Sequence, residues 1–494
     1  MAKMPYLSKS KYLAGLQCPK LLWYNYNRKA DLPGIGPLTQ AVFDEGHRVG
    51  VLAQKLFPNG VTIERDRSPE KHSERSLAAL KLRQPLFEAG FLFGQAYALA
   101  DILVPVEDDA WDIVEVKSST GIKDEHYRDA AFQRYTYAGA GLKIRRSYLM
   151  HINKEFVKKG EIDPKRFFTK EDVTDETLEL LPGIAGQIAT MAATIGAETE
   201  PEAKVGPHCT SPRECPLYDL CWDFLPDEGH VFILYRGGKK KFDLMERGIL
   251  NVTEIPDDFE LDEKQLIQVK SHRDKAAHVD KEALKEFLGQ LVYPLYFLDF
   301  ETIGPALPVY DNTGPYKEIP FLFSLFVQDK PGGKPQHFSY LAPGDIDPRP
   351  EMLRRLKELL GESGSIVAYN ARFEMTCIEK ASEVYRDYND WAVFLKDRFV
   401  DLLVPFQQFL FYHPDQAGSA SLKKVLPALT HSNYENLEIG EGRTAGVEYY
   451  RVTFGENIPP AEKERVHTAL EKYCDIDTRG MLEIIEALNE AVAA

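Results

Sequence analysis

The hydrophobic pattern is sharpest between Leu99 and Lys117, Leu-Ala-Asp-Ile-Leu-Val-Pro-Val-Glu-Asp-Asp-Ala-Trp-Asp-Ile-Val-Glu-Val-Lys. Two short apolar runs flank a polar turn marked by Pro105 and the acids Glu107 to Asp109. This predicts a β-hairpin centred near Asp108. In that register Asp101 faces Glu115, with Cβ atoms roughly 5 Å apart. Alternation puts Glu115 and Lys117 on one face and sends Val114 and Val116 into a core on the other. Downstream, a helix is predicted over 123–140, with Gln133 and Tyr137 at i, i+4 on one side. A helical segment over 174–197 follows, interrupted by Pro182-Gly183.

A second set of elements starts near Tyr293. Residues 295–302, Leu-Tyr-Phe-Leu-Asp-Phe-Glu-Thr, form a buried-strand pattern broken by Asp299 and Glu301, which share a face. Residues 365–370 predict another strand, after which Ala371-Arg-Phe-Glu opens a helix with Glu374 in its first turn. A helix over 461–488 carries Tyr473 and Asp477 at i, i+4. Between the two sets, residues 231–290 hold Gly237-Gly-Lys-Lys-Lys241, a turn around Gly248 and a charged helical stretch to Gln290. This resembles a helix-hairpin-helix, whose backbone N–H groups and lysines would meet phosphates; a solvated charge run is the equal alternative.

At 494 residues and 44% hydrophobic content the chain can build two or three domains. Its start lacks an apolar leader, and no stretch approaches the ~20 apolar residues that span a bilayer, which predicts a soluble cytoplasmic protein. The net charge of -16 changes this picture only by its distribution. Residues 1–225 hold 29 basic and 31 acidic residues, leaving 31 and 45 for residues 226–494. Carboxylates that bind metal lose their repulsion for phosphate once the cation is in place, so acidity does not exclude a nuclease, although it weighs against tight passive binding of nucleic acid.

The hairpin suggests chemistry. Two carboxylates and an ammonium converging at Asp101, Glu115 and Lys117 suit metal-assisted phosphodiester hydrolysis: the acids hold a hard cation, and the lysine stabilises developing charge. An ordinary surface ion pair is the alternative. Three cysteines, Cys209, Cys215 and Cys221, lie within thirteen residues, and Cys18 precedes them by almost two hundred. Clustered thiols in a reducing compartment favour a metal site, an iron-sulfur cluster or a structural zinc. The five-residue gaps, wider than common zinc-finger loops, favour the cluster.

With Cys18 before the hairpin and three cysteines after it, residues 5–225 resemble the RecB-like nucleases of the PD-(D/E)xK superfamily. The nearest likeness is to the iron-sulfur branch that includes CRISPR-associated exonucleases and the AddB-type repair nuclease. Asp101 matches that family's aspartate, Glu115-Val-Lys117 its (D/E)xK, and Gln133 with Tyr137 its QxxxY, which faces the active site and DNA. The resemblance implies a 4Fe-4S cluster on Cys18, Cys209, Cys215 and Cys221, and a Mg or Mn ion on Asp101 and Glu115. One departure is the Gly-x-x-x-His motif: Gly46 is followed at that distance by Gly50, and His47, on the same side of a helix, is either a substitute ligand or an ordinary helical histidine.

The C-terminal set, Asp299, Glu301, Glu374 and Asp477 with Tyr473, resembles the tyrosine-bearing DEDD exonucleases of the RNase H-like, or DnaQ-like, fold. Glu374 stands where that family has aspartate. The resemblance implies metal ligation by all four acids. The stretch also resembles a bacterial family catalogued only as a domain of unknown function and found fused to RecB-like nucleases. Lys423 and Lys424 follow a Gly-Ser turn, where they would contact phosphates or simply open a solvent-facing helix.

The expectation is therefore an α/β chain in three parts. Residues 1–225 form a PD-(D/E)xK iron-sulfur nuclease domain, 226–290 a basic helical connector, and 291–494 an RNase H-like DEDD exonuclease domain. The implied activity is metal-dependent hydrolysis of phosphodiesters at single-stranded DNA ends, without a membrane partner. The alternative is a non-catalytic or single-site nucleic-acid-binding or assembly module in DNA repair or defence.

Overall fold

Strands and helices alternate along the whole chain, and the computed structural model describes them for residues 6–435 and 437–493. They gather into two units, one of residues 1–223 and 305–316, the other of residues 224–304 and 317–494. The first boundary thus falls at Asp223. Residues 226–290 group with the second unit instead of standing alone, and the short stretch 305–316 groups with the first.

The first unit is a seven-stranded sheet made of β1 (Leu7–Ser8), β2 (Val61–Thr62), β3 (Leu86–Phe93), β4 (Ala96–Pro105), β5 (Trp111–Lys117), β6 (Ile144–Ile152) and β7 (Phe168–Asp172). The order is β2-β3-β4-β5-β6-β7, with β1 beside β4. Strands β3 to β5 form an antiparallel meander. Strand β6 runs parallel to β5, a pairing that needs a crossover, and the helix Asp124–Gly139 supplies it. The β4–β5 turn closes with Ala110 N donating to Glu107 O at 3.2 Å, and Asp108 and Asp109 both have positive φ (55° and 58°). Two left-handed central residues match the twist of a hairpin, and aspartate tolerates that conformation. Ile102 pairs with Val114, so the next step of the same register sets Asp101 opposite Glu115.

Two cores flank this sheet. Small side chains on β4, Ala96, Ala98 and Ala100, leave room on one side for Phe132 and Tyr137 of the crossover helix. In the other core Phe87, Ile102 and Val114 pack with Val49 and Leu52 of the helix Pro37–Gln54 and with Ala306. Strand alternation slips at Glu88: Leu86 and Ala89 share the first core, Phe87 lies in the second, and Glu88 between them has φ 59°. The β3–β4 pairing skips Glu88, passing from Phe87 with Ile102 to Ala89 with Ala100, and the Glu88 carboxylate accepts from Arg65 Nη2 at 2.6 Å.

The helix Thr174–Gly196 runs unbroken through Pro182, contrary to the expected interruption. Proline removes one donor, and the carbonyl left without it belongs to Leu178, an exposed residue that water can reach. By length and composition this helix could cross a membrane, which the reading of the sequence did not anticipate. Here Ile184, Ile188, Met191 and Ile195 are buried in the first core.

The second unit has a five-stranded sheet in the order β11-β10-β9-β12-β13 and a small ribbon of β8 and β14. The strands are β8 (His278–Val279), β9 (Leu295–Ile303), β10 (Ile319–Gln328), β11 (Gln336–Leu341), β12 (Ser365–Ala368), β13 (Phe399–Asp401) and β14 (Phe411–Tyr412). Central β9 is antiparallel to β10 and parallel to β12. Its Leu295 and Phe297 join a core with Met481, Ile484 and Leu488 of the helix Pro460–Ala493. Tyr296, Leu298 and Phe300 join another with the helices Arg349–Leu359 and Arg372–Val384. Period-2 alternation therefore turns Asp299 and Glu301 toward the long terminal helix.

Residues 224–290 carry a small core of their own, including Val231, Leu244, Val252 and Val269. The charged helical stretch is two helices, Glu263–Asp274 and Lys281–Gly289, separated by β8. Lys241 donates to Phe232 O at 2.7 Å and Lys240 to Gln265 Oε1 at 3.1 Å. Two of the three lysines expected to meet phosphates thus use their ammonium groups internally.

Candidate metal centres

In the first unit β4, β5 and the crossover helix bring Asp101, Glu115, Lys117 and Gln133 together. Glu115 is only 3% exposed. Its Oε1 accepts from Lys117 Nζ at 2.9 Å and its Oε2 from Gln133 Nε2. Asp101 Oδ2 accepts from Val116 N at 2.8 Å. Two residues that the motif reading missed complete the cluster. Lys9 Nζ lies 2.7 Å from Glu115 Oε1 and 3.7 Å from Asp129 Oδ1, and Lys117 also donates to Asp129 Oδ2. Asp129 was readable, since it sits one turn before Gln133 on the same helix face; Lys9, more than ninety residues from Asp101, left no local signal.

The charges here compensate each other. Burial raises the Glu115 carboxyl, but Lys117 and Lys9 outweigh it and hold the group below the usual carboxylate range. Burial, then the Glu115 charge, pushes Asp101 well above its ordinary value. Tyr137 lies fully buried in the core, edge-on to Phe91 at 5.0 Å between centroids. The charges of Glu115, Asp101 and Asp129 add to burial in raising its hydroxyl, so it lies near the acids; the QxxxY resemblance implied a face toward the active site and DNA. His47 is exposed on the helix Pro37–Gln54 and belongs to no close set of ligand atoms among the described residues.

Asp299, Glu301 and Asp477 in the second unit form the one group among the described residues with three potential ligand atoms all within 4.8 Å of one another. Strand β9 supplies the first two. The terminal helix supplies Asp477, one turn beyond Tyr473 and one before Met481, where its buried stripe changes from apolar to polar. Glu374, in the first turn of its helix, is 2% exposed, and its Oε2 has no hydrogen-bond partner. Burial, and next the Asp299 charge, raise Glu374 well above the carboxylate range. Asp299 and Glu301 rise for the same reasons, burial first and neighbouring acids second. Asp477 is pushed up to about 6 by burial, against the hydrogen bonds of Tyr434 and Tyr473. Among the described residues no lysine, arginine or histidine forms an ion pair with any of the four.

Further groups near this cluster were not assigned from the sequence. Tyr434 Oη donates to Asp477 Oδ1, and Cys474 Sγ lies 3.3 Å from Asp299 Oδ2. Lys423 is half-buried, donates to Gly440 O, and lies 5.6 Å from the Tyr473 ring and 6.0 Å from the Tyr434 ring. It therefore leans over the acids and does not simply open a solvent-facing helix; Lys424 is exposed.

The four cysteines are free thiols. Cys18, Cys209 and Cys215 are buried and Cys221 half-buried. Cys215 is pushed up to about 11 by burial first, then by Cys18, Cys209 and Cys221 around it. The four are thus neighbours, yet no three of their sulfurs form a set within 4.8 Å among the described residues. A zinc ion with Zn–S bonds of ~2.3 Å would hold its thiolates about 3.8 Å apart. Thiols are donors of the kind a soft metal takes.

Residues 296–421 match a family described as a domain of unknown function, DUF2779. That span includes Asp299, Glu301 and Glu374 and stops short of Tyr473 and Asp477. A protein of Ureaplasma parvum serovar 3, the uncharacterized protein UU173, is 23% identical over 232 residues, which is 41% of this chain and 32% of that protein. The chain therefore spans about a third of the length of this curated relative.

Proposed function

We propose that this chain is a metal-dependent nuclease, hydrolysing phosphodiester bonds at single-stranded DNA ends. In this reading the seven-stranded unit is of the PD-(D/E)xK type, and the five-stranded unit is of the RNase H-like DEDD type. One observation carries it: half-buried Asp299 and buried Glu301 and Asp477 bring ligand oxygens within 4.8 Å of one another beside buried Glu374, with no ion-paired cation among the described residues, an arrangement that is costly unless positive ions fill it. Mg or Mn suits such hard oxygen ligands. Bound there, a divalent ion supplies Lewis-acid stabilisation and acidifies water. The chain's own residues do the rest. Tyr473 orients the attacking water beside Asp477, and Lys423 meets the phosphate's charge. In the first site Asp101 and Glu115 are the ligands, and Lys117 stabilises charge developing on the leaving oxygen. Cys18, Cys209, Cys215 and Cys221 would hold a 4Fe-4S cluster that ties the start of the first unit to its end.

The internal pairing of Glu115 with two lysines favours a second reading for the first unit alone, a nucleic-acid-binding module without turnover. One assay separates these readings. Purified full-length protein is given end-labelled single- and double-stranded DNA and RNA with Mg, Mn or EDTA, as wild type, Lys117→Ala, Asp299→Ala and the double variant. Two catalytic sites predict that each single variant keeps part of the activity and the double variant none. Activity that ignores Asp299, or that persists in EDTA, refutes the proposal.

A further inference from the structure

The first site holds an ammonium group that its motif does not supply. Lys9 opens the helix Lys9–Gln17 directly after β1, and its Nζ bonds Glu115 Oε1, the same oxygen that Lys117 occupies. An oxygen already accepting two N–H donors has no lone pair left for a divalent cation, and two like charges beside the seat repel one. Lys117 is fixed, since it projects from a central strand and bonds both Glu115 and Asp129. Lys9 is the one free to move. It follows a strand of two residues, and Asp129 Oδ1, buried and without a hydrogen-bond partner, lies 3.7 Å from its ammonium.

We propose that Lys9 is a built-in counter-ion of the first site: in the metal-free protein its ammonium stands on Glu115 in place of a divalent ion, and binding of that ion transfers Lys9 from Glu115 to Asp129. This rests on the reading of Asp101 and Glu115 as metal ligands. Ion binding there is then an exchange of one cation for another, and Lys9 is a positioning residue that sets metal affinity without touching substrate. Among the described residues no lysine or arginine ion-pairs with the acids of the second site, so the two sites fill at different concentrations, the second first.

The test is a Mn titration, read by the electron paramagnetic resonance of free Mn. It uses the full chain carrying Asp299→Asn and Asp477→Asn to silence the second cluster. In that background Glu115→Gln should lose one Mn equivalent. Lys9→Met should tighten the remaining site by about tenfold, because a neighbouring like charge is gone. It should also lower the melting temperature in EDTA and enlarge the rise that Mn produces, a pair of effects that a purely structural lysine would not give. Lys9→Arg should behave as the parent, and Lys9→Gln should repeat the Met result if Lys9→Met does not fold. Unchanged or weaker Mn binding in the uncharged variants overturns the proposal and leaves the metal reading intact. A Glu115→Gln chain that loses no Mn overturns both.

Discussion

Replacing Asp477 by asparagine should stabilise the metal-free protein while removing its response to metal. The Asp477 carboxyl titrates at about 6 against an ordinary 3.8, and the residue is only 7% exposed. Between those two pH values the folded chain keeps a proton that the unfolded chain has lost, so stability falls as pH rises through this window and stays lower above it. The difference corresponds to about 3 kcal/mol at pH 7. Asparagine does not ionise, and its carbonyl still accepts from Tyr434. In EDTA at pH 7 Asp477→Asn should therefore melt above wild type by roughly 5–10 °C, and the gap should close below pH 4. Adding Mn should reverse the order, since wild type gains a bound ion and the variant loses a ligand. Thermal or urea unfolding of both chains from pH 4 to 7.5, with and without Mn, measures each step. A variant less stable than wild type at pH 7 in EDTA, or a gap that does not change with pH, would show that the four acids are not held together at an electrostatic cost.

Other outcomes follow from the same geometry. Glu115→Ala should destabilise the first unit by about 1–3 kcal/mol in urea unfolding, because Gln133 loses its acceptor and both lysines are left to share Asp129, while Glu115→Gln should keep the fold and lose first-site cleavage. Tyr137→Phe should change stability by less than about 1 kcal/mol and leave first-site cleavage intact, because its hydroxyl makes one long bond, 3.5 Å to Ala89 O; lost activity in that variant would show a direct role for the tyrosine. Anaerobically purified protein should be brown with broad visible absorbance, and Cys215→Ser should bleach it and lower its melting temperature; stoichiometric zinc without iron in elemental analysis would sink the cluster.

What the sequence disclosed was set by how local each signal is. The β4–β5 hairpin was readable because its apolar runs alternate and Glu107 to Asp109 punctuate them, and the crossover helix, predicted over 123–140, spans Asp124–Gly139. Strand β9 was readable for the same reason, and its period of two fixed Asp299 and Glu301 to one face. Lys9, Tyr434 and Cys474 were not readable as site residues, because each reaches its partner through tertiary packing that no spacing encodes. A QxxxY pair says only that two side chains share a helix face; that Gln133 and Tyr137 are both fully buried was not legible in it. Pro182 misled: the helix continues through it, and the carbonyl it leaves without a donor belongs to exposed Leu178.

The membership of residues 305–316 in the first unit has a consequence for the order in which this protein is made. Ala306 N donates to Glu45, Tyr316 Oη to Ser118 O, and Lys158 Nζ to Asp311 Oδ1 at 2.7 Å. A ribosome finishes residue 223 long before it reaches residue 316, a delay of roughly 5–20 s at ordinary elongation rates. During that interval the patch around Val49 and Leu52 lacks Ala306, and the nascent first unit waits with part of its core open. A polypeptide stopped at residue 225 would hold that incomplete state permanently, so adding the missing twelve residues as a separate peptide should raise its melting temperature.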